Sequence, residues 1–177
     1  MSSEHQNDNG VPGFTAELCI DNNLHTFCHS DCSNDNGIYH PDAENCPWIA
    51  LEFEEIVDVR KVIVSNRQHG DFPFTNGRLR KMQVRVTEEL PQDASVMFNK
   101  GVLFGTFPGQ AVAGQVITMT GQAQGRFVLI QIDNKDCLHV AEIAVFGAAC
   151  TGETRQLGCR LPLGMLKRLL LVVDSWY

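Results

Sequence analysis

A chain of 177 residues with 44% hydrophobic content can bury one core of about 100–150 residues and carry short extensions. Its 14 basic and 21 acidic residues leave a net charge of −7, which argues against nucleic acid or an anionic membrane surface as the main partner, because both select a basic patch. The seven cysteines (19, 28, 32, 46, 137, 150 and 159), read as disulfides, point to an oxidising compartment with one thiol left over.

Met1 to Gly13 is polar and has no apolar h-region, so no secretory signal is visible. An extracellular home is still the expectation, with the signal lost from this stretch or the chain part of a larger secreted protein. Residues 1–13, rich in Ser, Asn, Asp and Gly, read as a disordered lead. Phe14 to Ile20 reads as a first short strand, closed by Asp21-Asn22-Asn23. Residues 24–46 show neither a period of 2 nor one of 3.6 and form one long loop, a length that is commonly functional.

Two strand-like runs follow, Asn45–Phe53 and Val59–Arg67, joined by an acidic bend at Glu54-Glu55. Further strands are expected over Met82–Glu88, Val102–Phe107, Gln115–Thr120, Arg126–Asp133 and Val140–Gly147, with turns at Pro108-Gly109 and Gly121–Gly125. In the first of these, Met82, Val84 and Val86 should face inward, and Gln83, Arg85 and Thr87 outward. No stretch of ten residues between Phe14 and Cys150 carries a helical stripe. Seven or eight short strands so spaced predict an all-β, two-sheet antiparallel sandwich with jelly-roll connectivity over residues 14–150. Residues 151–177 are expected to lie outside that domain. Their apolar run Leu169–Val173 is far shorter than the roughly 20 residues that span a bilayer.

Four segments now point to a family. Asn45-Cys46-Pro47-Trp48-Ile49-Ala50-Leu51-Glu52-Phe53, the Val62–Arg67 strand, Gly125–Ile130 and the closing Ala141–Gly147 together resemble a discoidin-type (coagulation factor 5/8 type C) domain. The resemblance is nearest to the F-type, fucose-binding lectins. It covers about Phe14 to Cys150 and implies a galactose-binding-like jelly roll. The sugar motif of those lectins is a His, 26 residues, an Arg, one residue, an Asp, four residues and a second basic residue. Here His40 and Arg67 enclose 26 residues, and Trp48 sits where the family places its tryptophan. The chemistry stands independently of the family: a guanidinium holds a rigid fork of donors toward hydroxyls, and a neutral imidazole adds one directed bond.

The second half of the motif departs. His69 stands at the Asp position, and the next basic residue, Arg78, comes eleven residues after Arg67 instead of seven. The adjacent cysteine pair of those lectins is absent. The insertion brings Asp71, able to orient Arg67, and Phe72 and Phe74, able to offer a ring face to a sugar. The expected carbohydrate-binding set is therefore His40, Arg67, Arg78, Asp71 and Phe72.

The resemblance also implies a calcium ion at the same end, held by the Leu18 carbonyl, Asp21, Asn23, Thr26, the Ala141 carbonyl and Glu142. Calcium takes six to eight hard oxygens, which such a set approaches. The plain alternative is that Asp21 and Asn23 make only an Asx turn.

Cys28-His29-x-x-Cys32 lacks the second ligand pair that a structural zinc site carries, so disulfides are the preferred reading. Sequence leaves the pairing open, with Cys19–Cys150, and Cys28 with Cys137 or Cys46, as candidates. No Gly-x-Ser-x-Gly elbow, phosphate-cradling Gly loop or His-Glu-x-x-His motif is present, so an enzyme is not expected. The expected partners are glycans or glycoproteins, with membranes reached only indirectly through them. Several copies or an oligomer would supply avidity. The rival readings are an adhesion module that docks protein or lipid through Phe72 and Phe74, and a structural module with a degenerate site.

Overall fold

The computed structural model describes residues 13–30, 47–68, 75–90, 100–133 and 136–150, and the backbone pairing of Gly164–Met165. There are eight strands among the described residues: β1 (Cys28–His29), β2 (Trp48–Ser65), β3 (Arg80–Thr87), β4 (Val102–Gln110), β5 (Val116–Ile132), β6 (His139–Val140), β7 (Glu142–Ala149) and β8 (Gly164–Met165). They form two antiparallel sheets, one of six strands in the order β4-β3-β5-β2-β7-β8 and a small one of β1 with β6. No α-helix occurs among the described residues, as the missing helical stripe implied.

The sandwich is built on one long ribbon. The first part of β2, Trp48–Glu52, pairs with Phe127–Gln131 of β5, which also pairs with β3. The later part, Val57–Ser65, pairs with Val116–Gly125 of β5 on one side and with β7 on the other. The register shifts between Glu52 and Val57, and there the six-stranded sheet folds over on itself. Gly105 of β4 consequently lies against Met119, and Gly121 against the Phe104 ring, residues of the far half of β5 and the opposite layer. Between the layers sit Ile49, Leu51, Val62, Val84, Ile130 and Ile132, all essentially inaccessible. These β-branched and leucine side chains recur at alternate positions, as a half-buried strand requires.

Several local expectations change. Glu54-Glu55 is not a bend between two strands but a pair of exposed residues inside continuous β2. Gly121–Gly125 likewise lies within β5 and Pro108-Gly109 within β4. In each case, pairing with a neighbouring strand outweighs local turn propensity. The expected strand at Phe14–Ile20 is a short 3₁₀ helix, Ala16–Cys19, which buries Ala16 and Cys19. Gln83 and Thr87, expected outward, are buried.

Cys19 pairs with Cys28, with a Cα–Cα distance of 5.2 Å, which overturns the Cys19–Cys150 pairing and the pairing of Cys28 with Cys137 or Cys46. With a sequence separation of 9, the Cys19–Cys28 bond closes a local loop instead of tying the termini. Cys137 and Cys150 each take part in a disulfide as well. Residues 1–12 of the expected lead (1–13), the expected loop beyond Ser30, and the tail apart from Gly164–Met165 lie outside the described residues. Those two tail residues pair with Gly147 and Phe146 of β7.

Candidate functional site

Four segments meet at the end of the sandwich where β2 gives way to Asn66 and Arg67. Asn66 is the joint. Its backbone N–H donates to the Gln115 carbonyl at 2.9 Å, which ties the strand end to the β4–β5 connection. Its side-chain amide donates to the Asn76 carbonyl at 2.8 Å and to the Val112 carbonyl at 2.9 Å. Its side-chain oxygen accepts from the Arg67 N–H at 3.0 Å, and the Arg67 carbonyl accepts from Gly114 at 2.9 Å. With Asn66 almost fully buried, these bonds fix the backbone of Arg67 on a rigid base, as recognition residues on a β scaffold require.

The Arg67 guanidinium lies 4.0 Å over the Phe27 ring, a cation–π arrangement that suits the planar fork. Phe27 stacks on Phe14 at 4.8 Å between ring centroids. His29 of β1 and His139 of β6 stand edge to face at 5.6 Å, and His139 also presents an edge to Phe27 at 6.5 Å. The His29 ring nitrogen Nδ1 is 2.6 Å from the Ser30 carbonyl, which fixes its tautomer as a donor there.

His139 is fully buried, and neither of its ring nitrogens has a hydrogen-bond partner. Burial holds its pKa well below the usual imidazole value. His29, Arg67 and Arg78 push it the same way, because each positive charge opposes another. The Thr75 backbone opposes this shift without reaching hydrogen-bond geometry. The ring is therefore neutral at physiological pH.

Arg78 ends the 3₁₀ turn Thr75–Arg78. Its Nε is 3.5 Å from Asp136, whose other carboxylate oxygen accepts from Arg80 at 2.9 Å. Arg67 and Arg78 are thus brought to the same end, both close enough to His139 for their charges to act on it. His40, Asp71 and Phe72, together with His69 and Phe74, lie outside the described residues. The spacing motif did not point to Phe27, His29, Asn66, Asp136 or His139. The sequence signal for Phe27 and His29 was an apolar–aromatic cluster inside a polar loop, and the two histidines meet only through the β1–β6 pairing of residues more than 100 positions apart.

Four of the expected metal ligands, Asp21, Asn23, Thr26 and Glu142, meet around one hydrogen-bonded turn. Asp21 Oδ1 accepts from the Asn23 N–H at 2.9 Å, and its Oδ2 accepts from the Thr26 hydroxyl at 2.7 Å. The Asn23 side-chain oxygen accepts from the His25 N–H at 3.1 Å. Glu142 crosses from β7 to accept the Asn22 N–H at 2.9 Å, and Asn22 holds a left-handed φ of 62° at the turn. Ala141 is anchored through its N–H to the Ser65 carbonyl at 2.8 Å. Leu18 belongs to the 3₁₀ turn just ahead. Partial burial raises the Glu142 pKa to about 6, helped by the negative charge of Asp21 and opposed by the Asn22 and Asn23 N–H groups. Two carboxylates that repel each other, with an amide oxygen and a hydroxyl beside them, have the donor chemistry of a hard-cation site. Among the described residues no three His, Cys, Asp or Glu side chains converge, so such a site would depend on its neutral oxygens.

No family model and no curated protein matches the chain. Solved structures do. A fucolectin from striped bass (Morone saxatilis) serum superposes with a TM-score of 0.64 at 20% identity, over 85% of this chain and 47% of that one. The fold is the galactose-binding-like jelly roll. A family 32 carbohydrate-binding module from Clostridium perfringens NanJ, solved with galactose, matches at a TM-score of 0.55 and 18% identity, over 81% of this chain and 88% of its own. A Streptococcus pneumoniae fucose-binding module matches at 0.51 and 14% identity, over 81% and 87%. This chain spans about half the length of the striped-bass lectin. The discoidin and F-type-lectin likeness read from the sequence is thus matched by the solved structures that share its fold.

Proposed function

We propose that this end of the jelly roll binds a carbohydrate, through hydroxyl groups held by the guanidinium forks of Arg67 and Arg78. The observation that carries the reading is the Arg67 guanidinium held over the Phe27 ring, which faces the buried His139, with Asn66 tying the backbone of Arg67 to the turn that ends in Arg78. Sugars offer alternating hydroxyls and apolar C–H faces, and a site of rigid donors beside an aromatic ring matches both. The neighbours of the same fold support it, one solved with galactose and another a fucose-binding module. His40, Asp71 and Phe72 complete the set. The role is recognition and not catalysis.

Calcium belongs to the same proposal. Asp21, Asn23, Thr26 and Glu142, with the carbonyls of Leu18 and Ala141, would hold it. The ion would supply positive charge that relieves the Asp21–Glu142 repulsion and would brace the loop that carries Phe27 and leads into β1 and His29. The Cys19–Cys28 disulfide fits an oxidising, extracellular setting, and the ligands would be glycans or glycoproteins there. A single shallow site gains useful avidity by repetition, in tandem copies or an oligomer. Equilibrium titration with L-fucose and D-galactose tests the reading, with saturable binding by the wild type and its loss in Arg67→Ala as the expected result. Wild-type protein that binds neither sugar, nor any glycan of a broad array, sinks it.

A further inference from the structure

A buried histidine with two unpartnered ring nitrogens is poor for stability, because each lost water bond goes unreplaced. A phenylalanine at the same place would fill similar volume with no such cost. His139 keeps this unfavourable chemistry edge to face with His29 and with Phe27, whose ring carries the Arg67 guanidinium 4.0 Å away, and three residues after Asp136, the partner of Arg78. The rest of the cluster does not share the defect: His29 has the Ser30 carbonyl, and Asp136 has Arg78 and Arg80.

We propose that His139 is a positioning residue of the candidate sugar site, its neutral ring forming the floor under Arg67 and Arg78 and accepting a hydrogen bond from one of these guanidiniums when a ligand draws them into place. A neutral imidazole has one acceptor nitrogen, and an arginine has five donors and no acceptor, so the pairing is chemically matched. It needs no opening of the buried ring to the ligand itself. The inference rests on the sugar-binding reading and adds to it a residue that no spacing motif picks out.

The signature is a divergence between stability and affinity. His139→Phe should leave the unfolding midpoint unchanged or higher, since it removes two buried unpartnered nitrogens. It should also weaken L-fucose or D-galactose binding by about tenfold, the usual worth of one hydrogen bond. His139→Gln, which restores a neutral acceptor, should recover most of the affinity. Unchanged affinity in His139→Phe overturns the proposal. If His139→Phe loses stability and affinity together, His139→Gln decides: recovered affinity supports positioning, and affinity lost again shows a role in packing alone. The wild-type titration is run alongside, so a failure of sugar binding itself appears there and not in the variants.

Discussion

Replacing Glu142 by Gln separates the calcium reading from a plain Asx turn at Asp21 and Asn23. In the ion-free protein the folded state holds the Glu142 pKa at about 6, against an ordinary 4.5. A carboxyl raised in this way costs nothing below pH 4.5, where it is protonated in both states. The penalty grows as pH rises and is complete above about 6. Taken at full strength the difference is about 2 kcal/mol. The group is only part-buried, so solvent screening reduces this to about 1 kcal/mol. Glu142→Gln keeps an oxygen for the Asn22 N–H and removes the charge that faces Asp21. Urea unfolding in chelator at pH 7.5 should therefore find the variant more stable by up to about 1 kcal/mol, with the difference gone at pH 4. In calcium the order should invert, because an ion at a hundred times its dissociation constant adds about 2.7 kcal/mol to the wild type and the variant lacks one of its two carboxylates. Equal stabilisation of both proteins by calcium, or a variant less stable in chelator, contradicts the argument.

Two other substitutions test the site and the scaffold. Arg67→Lys keeps the charge but loses the planar fork, and should weaken sugar binding at least tenfold while unfolding as the wild type does; titration with either monosaccharide reads it. Gly125→Ala places a methyl 2.5 Å from the Thr87 carbonyl oxygen at the turn-over of β5, and should cost about 1–3 kcal/mol in urea unfolding.

The scaffold was legible because its signals are local and repeated. Alternation in Met82–Val86 and the apolar run Phe127–Ile130 specify strands wherever they pair. What was not legible depended on partners distant in sequence. Glu54-Glu55 and Gly121–Gly125 read as turns, yet both lie inside long strands because the β2–β5 ribbon carries them across the fold. The Cys19–Cys28 bond was missed because connectivity is a property of the folded loop. At the site, the spacing from His40 selected Arg67, and the structure places Arg67 and Arg78 at one end. The oxygen set Asp21, Asn23, Thr26 and Glu142, taken from the family likeness, forms one hydrogen-bonded cluster. His139, Phe27 and Asn66 had no pattern to announce them. Each takes its meaning from what other strands bring to it.

Sugar recognition by this jelly roll through Arg67 and Arg78, with calcium support, can be tested outright. The most direct measurement is a glycan array probed with the whole chain, in millimolar calcium and again in excess chelator. Binding to fucose- or galactose-bearing glycans is expected in calcium and should be sharply reduced by chelator. An array without any bound glycan in calcium contradicts it.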